Sequence, residues 1–442
     1  MRYREAVRYL NSLADYEKTG HKASLSFDLE RMRRLAELFD KPQESFRSIH
    51  IAGTKGKGSV AAFISAVLME EGFRAGLYTS PHLVTPRERI KVNNEMISKA
   101  ALAFHAGGIK KKLAKKNVGF TPTYFEIYTL LAFNYFRARK IDFGVIETGL
   151  GGRLDATNIV RPLVSVITPV SRDHTRVLGE DVKSIAVEKS AIIKKKSTAV
   201  SAPQDEKVID IIRKRCRRLG ARLILAGEDI KFSEISHDTR REVFDIAGEN
   251  GNYGPLLIRL LGRHQIANAA CAIGAIEALG KKISVPAIKK GLAKARNPAR
   301  CEVMARKPYI VLDGAQNRAS AAALKETIKR NFSYRRLILV LGISKEKDIK
   351  GVCDELFSAA DHVILTRAIT KRAESPRVIA RFAGKKNVTL TNSVNEAMKK
   401  ARSLAGEPDM ILAAGSFYVA GEIKKMKVNR TWKTRSLRYQ RL

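Results

Sequence analysis

Cysteine is scarce in this chain of 442 residues, which has only four. They lie far apart, so they have neither the density of a disulfide framework nor the short spacings of a cysteine-rich metal site. The sequence therefore predicts reduced thiols in a cytoplasmic protein. The cysteines are Cys216, Cys271, Cys301 and Cys353.

Long apolar runs are also absent. No stretch approaches the roughly 20 apolar residues that a helix needs to cross a bilayer. The charged residues 1–10 are typical of a helix and not of a secretory signal. The hydrophobic fraction is nevertheless 45%, and a chain of 442 residues is too long for one ordinary hydrophobic core. We therefore expect a folded protein of two or three domains with no membrane partner.

Acidic residues are outnumbered by basic ones, because 82 Lys and Arg against 44 Asp and Glu give a net charge of +38. Basic clusters occur at 110–116, 194–196 and 213–218 and after Glu422. This charge favours anionic partners, nucleic acid among them. None of the clusters is interleaved with the aromatic platforms of nucleic-acid-binding modules. We therefore interpret the clusters as a solvated basic face that suits ATP and carboxylates, and we do not expect nucleic acid as a partner.

The stretch 49–59, IHIAGTKGKGS, has the pattern of a strand, a tight glycine loop and a helix. Glycines let backbone N–H groups approach a phosphate, and the helix N-terminus adds positive potential. Lys57 would reach the β- and γ-phosphates of ATP. The alternative is a glycine-rich turn that only lets the strand pack on the helix. The predicted ATP-binding residues of this loop are Gly53, Thr54, Gly56, Lys57, Gly58 and Ser59.

The loop departs from the strict phosphate-loop pattern at one position. That pattern has Ser or Thr directly after the lysine to hold Mg²⁺, whereas Gly58 stands there in this chain. If the loop binds ATP, the metal ligand must come from elsewhere. A predicted strand at 143–146 ends at Glu147, and a carboxylate at the carboxyl end of a parallel strand lies where open α/β sheets bind ligands. Glu147 is thus the predicted replacement ligand.

Two further polar residues, His174 and Lys189, lie just after a predicted strand and within a predicted helix. His174 follows the strand predicted at 163–168 in the same way as Glu147 follows its strand, which favours metal ligation over a capping or core histidine. Lys189 lies on the apolar face of the helix predicted over 182–193, where a lysine is expected to extend outward to solvent.

The remaining pattern predicts an α/β fold. We expect helices within 1–45 and over 98–116, 123–139 and 264–279, a strand at 77–78, and short strands and turns over 226–260. A linker is predicted around 294–300. After it, strands alternate with helices, which predicts a second, smaller, doubly wound domain. These later strands are predicted at 309–313, 336–342, 362–366, 388–391 and 410–414.

Eight motifs in chain order carry a resemblance that covers nearly the whole sequence. They are GTKGKGS, TSPHLVTPRERI, ETGLGGRLDATN, DHTRVLG, EKSAIIK, GRHQIANAA, DGAQN and GSFYVAGE. Together they resemble folylpolyglutamate synthase/dihydrofolate synthase, within the Mur ligase superfamily. The resemblance implies a Mur-ligase-like phosphate-loop ATPase domain over 1–296, a C-terminal glutamate-ligase domain over 297–425, and a basic tail over 426–442.

The resemblance also implies an activity. Such enzymes use ATP to phosphorylate the carboxylate of dihydropteroate or a folate, and the amine of L-glutamate then attacks the acyl phosphate. Three alternatives stay open: an enzyme that only extends polyglutamate, a relative with another carboxylate acceptor, and a nucleic-acid-binding NTPase. The last explains less, because it requires nothing of Lys189, His174 or the second domain. We expect a cytoplasmic monomer that acts on small molecules.

The resemblance assigns roles to the metal-site residues. Ser80 and Glu147 would hold one Mg²⁺ with the ATP phosphates, and His174 would help to hold a second ion. Lys189 matches the lysine that the family carbamylates, which turns an amine into a carboxylate that can organise the metals. The predicted catalytic residues are Lys57, Lys189 and His174.

The resemblance also assigns nucleotide contacts. Asn268 matches a nucleotide-contacting asparagine of the family, and Arg300 and Asp313 match positions that contact ATP from the second domain.

Three positions depart from the family pattern. Lys55 stands where many relatives have asparagine, Gln316 replaces the histidine of a DGAHN motif, and Asn297 replaces a tryptophan before the linker's Pro-x-Arg. Gln316 can form hydrogen bonds but cannot become cationic.

Overall fold

The computed structural model describes residues 1–15, 28–116, 118–173, 175–179, 181–384 and 386–428. His174 and residues 429–442, the greater part of the predicted basic tail, lie outside these ranges. The chain forms two compact units. The first comprises Met1–His82 and Arg87–Asn297, and the second comprises Leu83–Pro86 and Pro298–Leu442.

An eight-stranded sheet with the order β4-β3-β2-β5-β1-β6-β7-β8 forms the centre of the first unit. The six strands from β2 to β8 in this order run parallel, and β3 and β4 extend the β2 edge antiparallel. The strands are β1 (Arg47–Ala52), β2 (Ala75–Tyr78), β3 (Ile90–Val92), β4 (Glu95–Met96), β5 (Phe143–Glu147), β6 (Val164–Ile167), β7 (Thr198–Ser201) and β8 (Arg222–Leu225). The predicted strands at 77–78, 143–146 and 163–168 are confirmed as β2, β5 and β6.

The helices of the first unit include those predicted over 98–116, 123–139 and 264–279, which are confirmed. Thr123 and Glu126 form a capping box at the start of the second of these helices. The helices are α1 (Tyr3–Ser12), α2 (Leu29–Leu38), α3 (Lys57–Glu70), α4 (Lys99–Lys115), α5 (Tyr124–Ala138), α6 (Thr175–Leu178), α7 (Val182–Ser190), α8 (Glu206–Leu219), α9 (Arg263–Glu277) and α10 (Val285–Lys294).

Helix α3 is buried on almost every side. It packs against β1, β2 and β5 of the sheet and also against α9 and α10. Its apolar residues, among them Val60, Phe63 and Ile64, belong to the main core of this unit and have no exposed surface. The helix that follows the glycine loop is therefore held from two sides. This packing fixes the amino end of α3, where the loop joins the helix.

The strands predicted within 226–260 form a separate three-stranded antiparallel sheet with the order β11-β10-β9. Alternating burial along β10 packs Phe244 and Ile246 into the same core as α9. The strands are β9 (Lys231–His237), β10 (Glu242–Gly248) and β11 (Gly251–Ile258).

The second unit has a six-stranded sheet with the order β12-β13-β17-β14-β15-β16. All neighbouring strands are parallel except β12, which pairs antiparallel with β13. The five predicted strands are confirmed. The strands are β12 (Glu302–Arg306), β13 (Tyr309–Leu312), β14 (Leu337–Leu341), β15 (His362–Leu365), β16 (Val388–Leu390) and β17 (Met410–Ala414). The helices are α11 (Arg318–Asn331), α12 (Ile349–Phe357), α13 (Pro376–Ala380), α14 (Val394–Leu404) and α15 (Phe417–Val428).

Both units are mixed α/β structures, as the sequence predicts. All four cysteines are buried, and no disulfide joins them in the part of the chain that the structure describes. Among the described residues, no helix combines the length and the apolar character that crossing a membrane requires.

Candidate functional site

The glycine loop lies between β1 and α3, and two of its glycines are required by the backbone. Gly53 has a φ of 152° and Gly56 a φ of 85°, both on the side that L-residues rarely adopt. A Cβ at position 53 would collide with the Thr168 side chain and carbonyl, and a Cβ at position 56 would lie 2.5 Å from Asn268 Oδ1. The loop backbone is therefore closely packed against Thr168 and Asn268.

The loop is anchored to the segment that follows β6. The Thr54 N–H donates to the Pro169 carbonyl at 2.9 Å. The Thr54 hydroxyl donates to the Ser171 carbonyl at 3.0 Å and accepts from the Ser171 N–H at 3.0 Å. These three bonds fix the loop before any ligand arrives. Such preorganisation is typical of phosphate-binding loops.

The side-chain nitrogens of two lysines meet at one carbonyl of this loop. Lys57 Nζ donates to the Gly53 carbonyl at 3.0 Å, and Lys189 Nζ donates to the same oxygen at 2.9 Å. Lys57 Nζ also lies 4.0 Å from Glu147 Oε1. The structure thus brings together three of the predicted site residues around Gly53.

Lys189 is buried, so the expectation from its helix face that it extends to solvent is wrong. Only 4% of its surface is exposed. Helix α7 comes close because Gly152 has no side chain: a Cβ there would lie 2.6 Å from the Glu188 carbonyl. The Arg153 N–H donates to that carbonyl at 2.9 Å, which fixes α7 against the loop after β5. This packing directs Lys189 inward to the glycine loop.

The environment of Lys189 disfavours its ammonium form. Burial and, to a smaller extent, the nearby Lys57 ammonium lower the pKa of Lys189 to about 7. The negative charges of Asp173, Asp155 and Glu188 oppose this shift. Near neutral pH a large fraction of this side chain is therefore a neutral, nucleophilic amine.

Glu147 ends β5 and is buried, as its predicted position at the carboxyl end of a parallel strand requires. Its Oε2 accepts the Ser80 N–H at 3.2 Å, so the two residues predicted to share a metal are adjacent. A Cβ at Gly58 would lie 3.7 Å from the same oxygen. A carboxylate and a serine beside a phosphate-type loop form a donor set that suits Mg²⁺, a hard cation with oxygen ligands.

Asn268 is a further predicted residue of this site in the first unit. It is buried on α9 with its side chain against Gly56, and its Nδ2 donates to Gln265 Oε1 at 3.0 Å. His174 lies outside the described residues, so its predicted ligation stays a prediction.

Asp155 is a polar residue that sequence reasoning missed. Asp155 accepts the N–H groups of Leu150 at 2.8 Å and Thr157 at 3.0 Å, and burial raises its pKa. It thereby orders the loop after Glu147; its place inside the ETGLGGRLDATN motif is the sequence signal. Burial also lowers the pKa of Lys55 to about 8, against the opposing charge of Asp173.

Arg300 and Asp313 belong to the second unit and lie near each other there. Asp313 accepts the N–H groups of Cys301 and Ala315, each at 2.7 Å. Burial raises the pKa of Asp313, and the positive charge of Arg300 opposes this shift. The Arg300 guanidinium lies 4.4 Å from the centre of the Phe417 ring. Both residues are therefore held in fixed positions at the start of this unit.

A second group of potential metal ligands, Glu234, His237 and Glu242, occurs on β9 and β10 and contains none of the predicted site residues. Protein contacts already engage it: Glu234 binds His237 at 2.7 Å and accepts from Arg263 at 3.2 Å, while Glu242 accepts the Gly262 N–H at 2.6 Å. These bonds join the small sheet to the start of α9. We therefore interpret the group as structural.

Two family models match the chain. The model for the Mur ligase middle domain matches residues 51–276, and the model for the Mur ligase glutamate ligase domain matches residues 299–417. The first range contains the glycine loop, Glu147, Lys189 and Asn268. The second contains Arg300 and Asp313.

Individual proteins are similar over nearly the full length. The chain is 34% identical over 406 residues to the dihydrofolate synthase/folylpolyglutamate synthase of Bacillus subtilis, a match that covers 90% of this chain and 94% of that protein. The Mycobacterium tuberculosis folylpolyglutamate synthase complexed with ADP and AMPPCP has a TM-score of 0.87 at 31% identity, covering 96% of this chain and 98% of that one. Escherichia coli FolC in complex with DHPP and ADP has a TM-score of 0.86 at 28% identity, covering 98% and 99%.

Proposed function

Since the chain belongs to the folylpolyglutamate synthase/dihydrofolate synthase branch of the Mur ligase family, we propose that it is an ATP-dependent amide ligase. It joins L-glutamate to dihydropteroate, to the γ-carboxylate of a folate, or to both. The observation that carries the proposal is the glycine loop with the Lys57 and Lys189 side-chain nitrogens on the Gly53 carbonyl and the buried carboxylate of Glu147 4.0 Å from Lys57 Nζ. A phosphate binds where cations and N–H groups converge, and a metal binds where a carboxylate faces that phosphate.

The chemistry explains why this arrangement is needed. A carboxylate is a poor electrophile, and its charge repels the γ-phosphate that it must attack. The glycine loop binds the triphosphate through its N–H groups, while Lys57 neutralises charge on the transferred group. After transfer, the acyl phosphate is a good electrophile for the glutamate amine, and phosphate leaves as the amide forms.

We propose that Ser80 and Glu147 hold a Mg²⁺ and that His174 contributes to a second. When bound, the ions neutralise charge on the phosphates during transfer. Glu147 supplies a full negative charge at the end of β5, and its bond to the Ser80 N–H fixes the direction of its second oxygen. The carboxylate is therefore oriented by the fold.

Lys189 suits carbamylation. Its pKa of about 7 provides neutral amine at physiological pH, which forms a C–N bond to CO₂ and releases one proton. The product is a carbamate anion, so a negative charge replaces the neutral amine beside Lys57. The Lys57 ammonium disfavours a protonated Lys189 and attracts the carbamate, which favours the modified form.

We assign the remaining proposed roles domain by domain. Residues 1–296 form the ATP-binding domain, in which Asn268 contacts the nucleotide. Residues 297–425 form the glutamate-ligase domain, from which Arg300 and Asp313 contact ATP. Residues 426–442 form a basic tail without an assigned role.

One assay tests the proposal and separates its alternatives. Purified protein is given ATP, Mg²⁺ and L-glutamate with either dihydropteroate or tetrahydrofolate, and ADP and the glutamylated product are measured together. Product with both acceptors supports the bifunctional enzyme, and product with tetrahydrofolate alone supports a folylpolyglutamate synthase. ATP hydrolysis that needs neither acceptor and is stimulated by RNA or DNA would refute the ligase and support a nucleic-acid-dependent NTPase.

A further inference from the structure

The space beside Gly58 is lined by polar groups. Gly58 is the second residue of α3 and takes the place of the Ser or Thr of a strict phosphate loop. A Cβ built there would lie 3.2 Å from Asn297 Nδ2, 3.7 Å from Asn297 Oδ1 and 3.7 Å from Glu147 Oε2. A carboxamide and a carboxylate thus converge where the missing hydroxyl side chain would stand.

Asn297 also binds the next residue of the loop. Its Nδ2 donates to the Ser59 hydroxyl oxygen at 3.2 Å, and only 1% of the Ser59 surface is exposed. The bond links the chain after α10 to the first turn of α3. Both residues belong to the first unit, so the contact is internal to it.

The packing of α10 on α3 holds Asn297 in this position. Gly291 lets the two helices approach closely, because a Cβ there would lie 2.5 Å from Val67 Cα. Lys294, the last residue of α10, donates to Glu70 Oε1 at 2.8 Å. Three residues further along the chain, Asn297 therefore has little freedom to leave the loop.

We propose that Asn297 is a positioning residue for ATP, whose carboxamide lies in the space of the Ser or Thr side chain that the loop lacks. It holds the Ser59 hydroxyl through Nδ2 and keeps an acceptor, Oδ1, beside Gly58 and Glu147. The inference rests on the proposed function, since it assumes that the loop binds ATP. The tryptophan of the family pattern could not supply both contacts, because an indole has one donor and no acceptor.

The test measures the dissociation constant of AMPPCP by calorimetry on the full chain, without folate or glutamate. Asn297→Ala and Ser59→Ala are each expected to weaken binding by about 2- to 12-fold, the range that one neutral hydrogen bond gives. Because both changes remove the same bond, the double variant should bind no more weakly than the weaker single variant. Asn297→Ala should raise KM for ATP and leave KM for glutamate unchanged.

Two controls separate positioning from structure. Asn297→Leu keeps the side-chain volume without the amide and should match Asn297→Ala in affinity, so it also serves if the alanine variant is unstable. Arg296→Ala alters the same linker, where the guanidinium donates only to the Ala293 and Ala295 carbonyls among the hydrogen bonds that the structure describes, and it should not change AMPPCP affinity. Unfolding midpoints of all variants are measured in parallel.

Additive effects of the two substitutions, or unchanged affinity in Asn297→Ala and Asn297→Leu, would overturn the inference. Its failure differs from failure of the proposed function. If the wild-type protein forms no glutamylated product but Asn297 and Ser59 are coupled in AMPPCP binding, the ligase is wrong and the inference stands. If the product forms and the coupling is zero, only the inference falls.

Discussion

Replacing Lys189 by methionine should stabilise the protein while it abolishes ligation. Methionine fills a similar volume and carries no charge, so it removes a buried ammonium group that the fold disfavours. In the folded chain the pKa of Lys189 is about 7, compared with 10.5 for a free lysine. Between these values the unfolded chain binds more protons than the folded one, so wild-type stability rises with pH through this window.

The expected size of the effect follows from the two pKa values. Integrating the linkage relation gives the free-energy cost of burying Lys189 in the folded protein. This cost is about 4 kcal/mol at pH 7 and about 2 kcal/mol at pH 9. Methionine loses the hydrogen bond to the Gly53 carbonyl, which offsets about 1 kcal/mol. The variant should therefore be more stable than wild type by about 3 kcal/mol at pH 7 and by about 1 kcal/mol at pH 9.

Denaturant unfolding of both proteins in CO₂-free buffer at the two pH values measures this difference. Bicarbonate should then stabilise only the wild type, because only it can form a carbamate. A difference that does not change with pH would show that Lys189 keeps an ordinary pKa. A variant less stable than wild type at pH 7 would show that its ammonium group stabilises the fold.

Three further substitutions test the site. Glu147→Gln should leave the unfolding midpoint near that of wild type but lower kcat/KM by more than about 100-fold, the upper end of what loss of a merely orienting group costs; near-normal turnover at saturating Mg²⁺ would exclude Glu147 as a ligand. Lys189→Ala should be inactive and partly regain product formation with added acetate, whereas full activity of Lys189→Arg would exclude an essential carbamate. Gly53→Ala should weaken AMPPCP binding at least about 10-fold, since its Cβ collides with Thr168, a loss worth about 1.4 kcal/mol; Gly72→Ala, with a φ of 93° and open space around it, is the matched control.

The sequence was most informative where local chemistry and chain order coincide. The glycine loop, the strand ending at Glu147 and the alternation of the second unit are local patterns, and all three are present in the structure. Strands β7 and β8 were missed because each has only four residues beside basic clusters. β12 was missed because its side chains are only partly buried and show no alternation.

The tertiary contacts of the site could not be predicted from periodicity. The inward direction of Lys189 depends on the absence of a side chain at Gly152, which lets α7 approach. The contact of Asn297 with Ser59 joins residues 238 positions apart. Neither contact leaves a local signal in the sequence. Only the resemblance therefore assigned a role in the site to Lys189, and nothing in the sequence assigned a contact to Asn297.

The shared Gly53 carbonyl makes phosphate binding and the protonation of Lys189 interdependent. An anion that draws Lys57 away from that oxygen removes one cause of the low pKa of Lys189. The pKa of Lys189 then rises, and its ammonium form is favoured. Such coupling is reciprocal: protonation of Lys189 alters the affinity for the anion by the same factor by which the anion alters the affinity of Lys189 for its proton. Dissolved CO₂, which converts the amine to an anion, would thereby become an effector of nucleotide affinity.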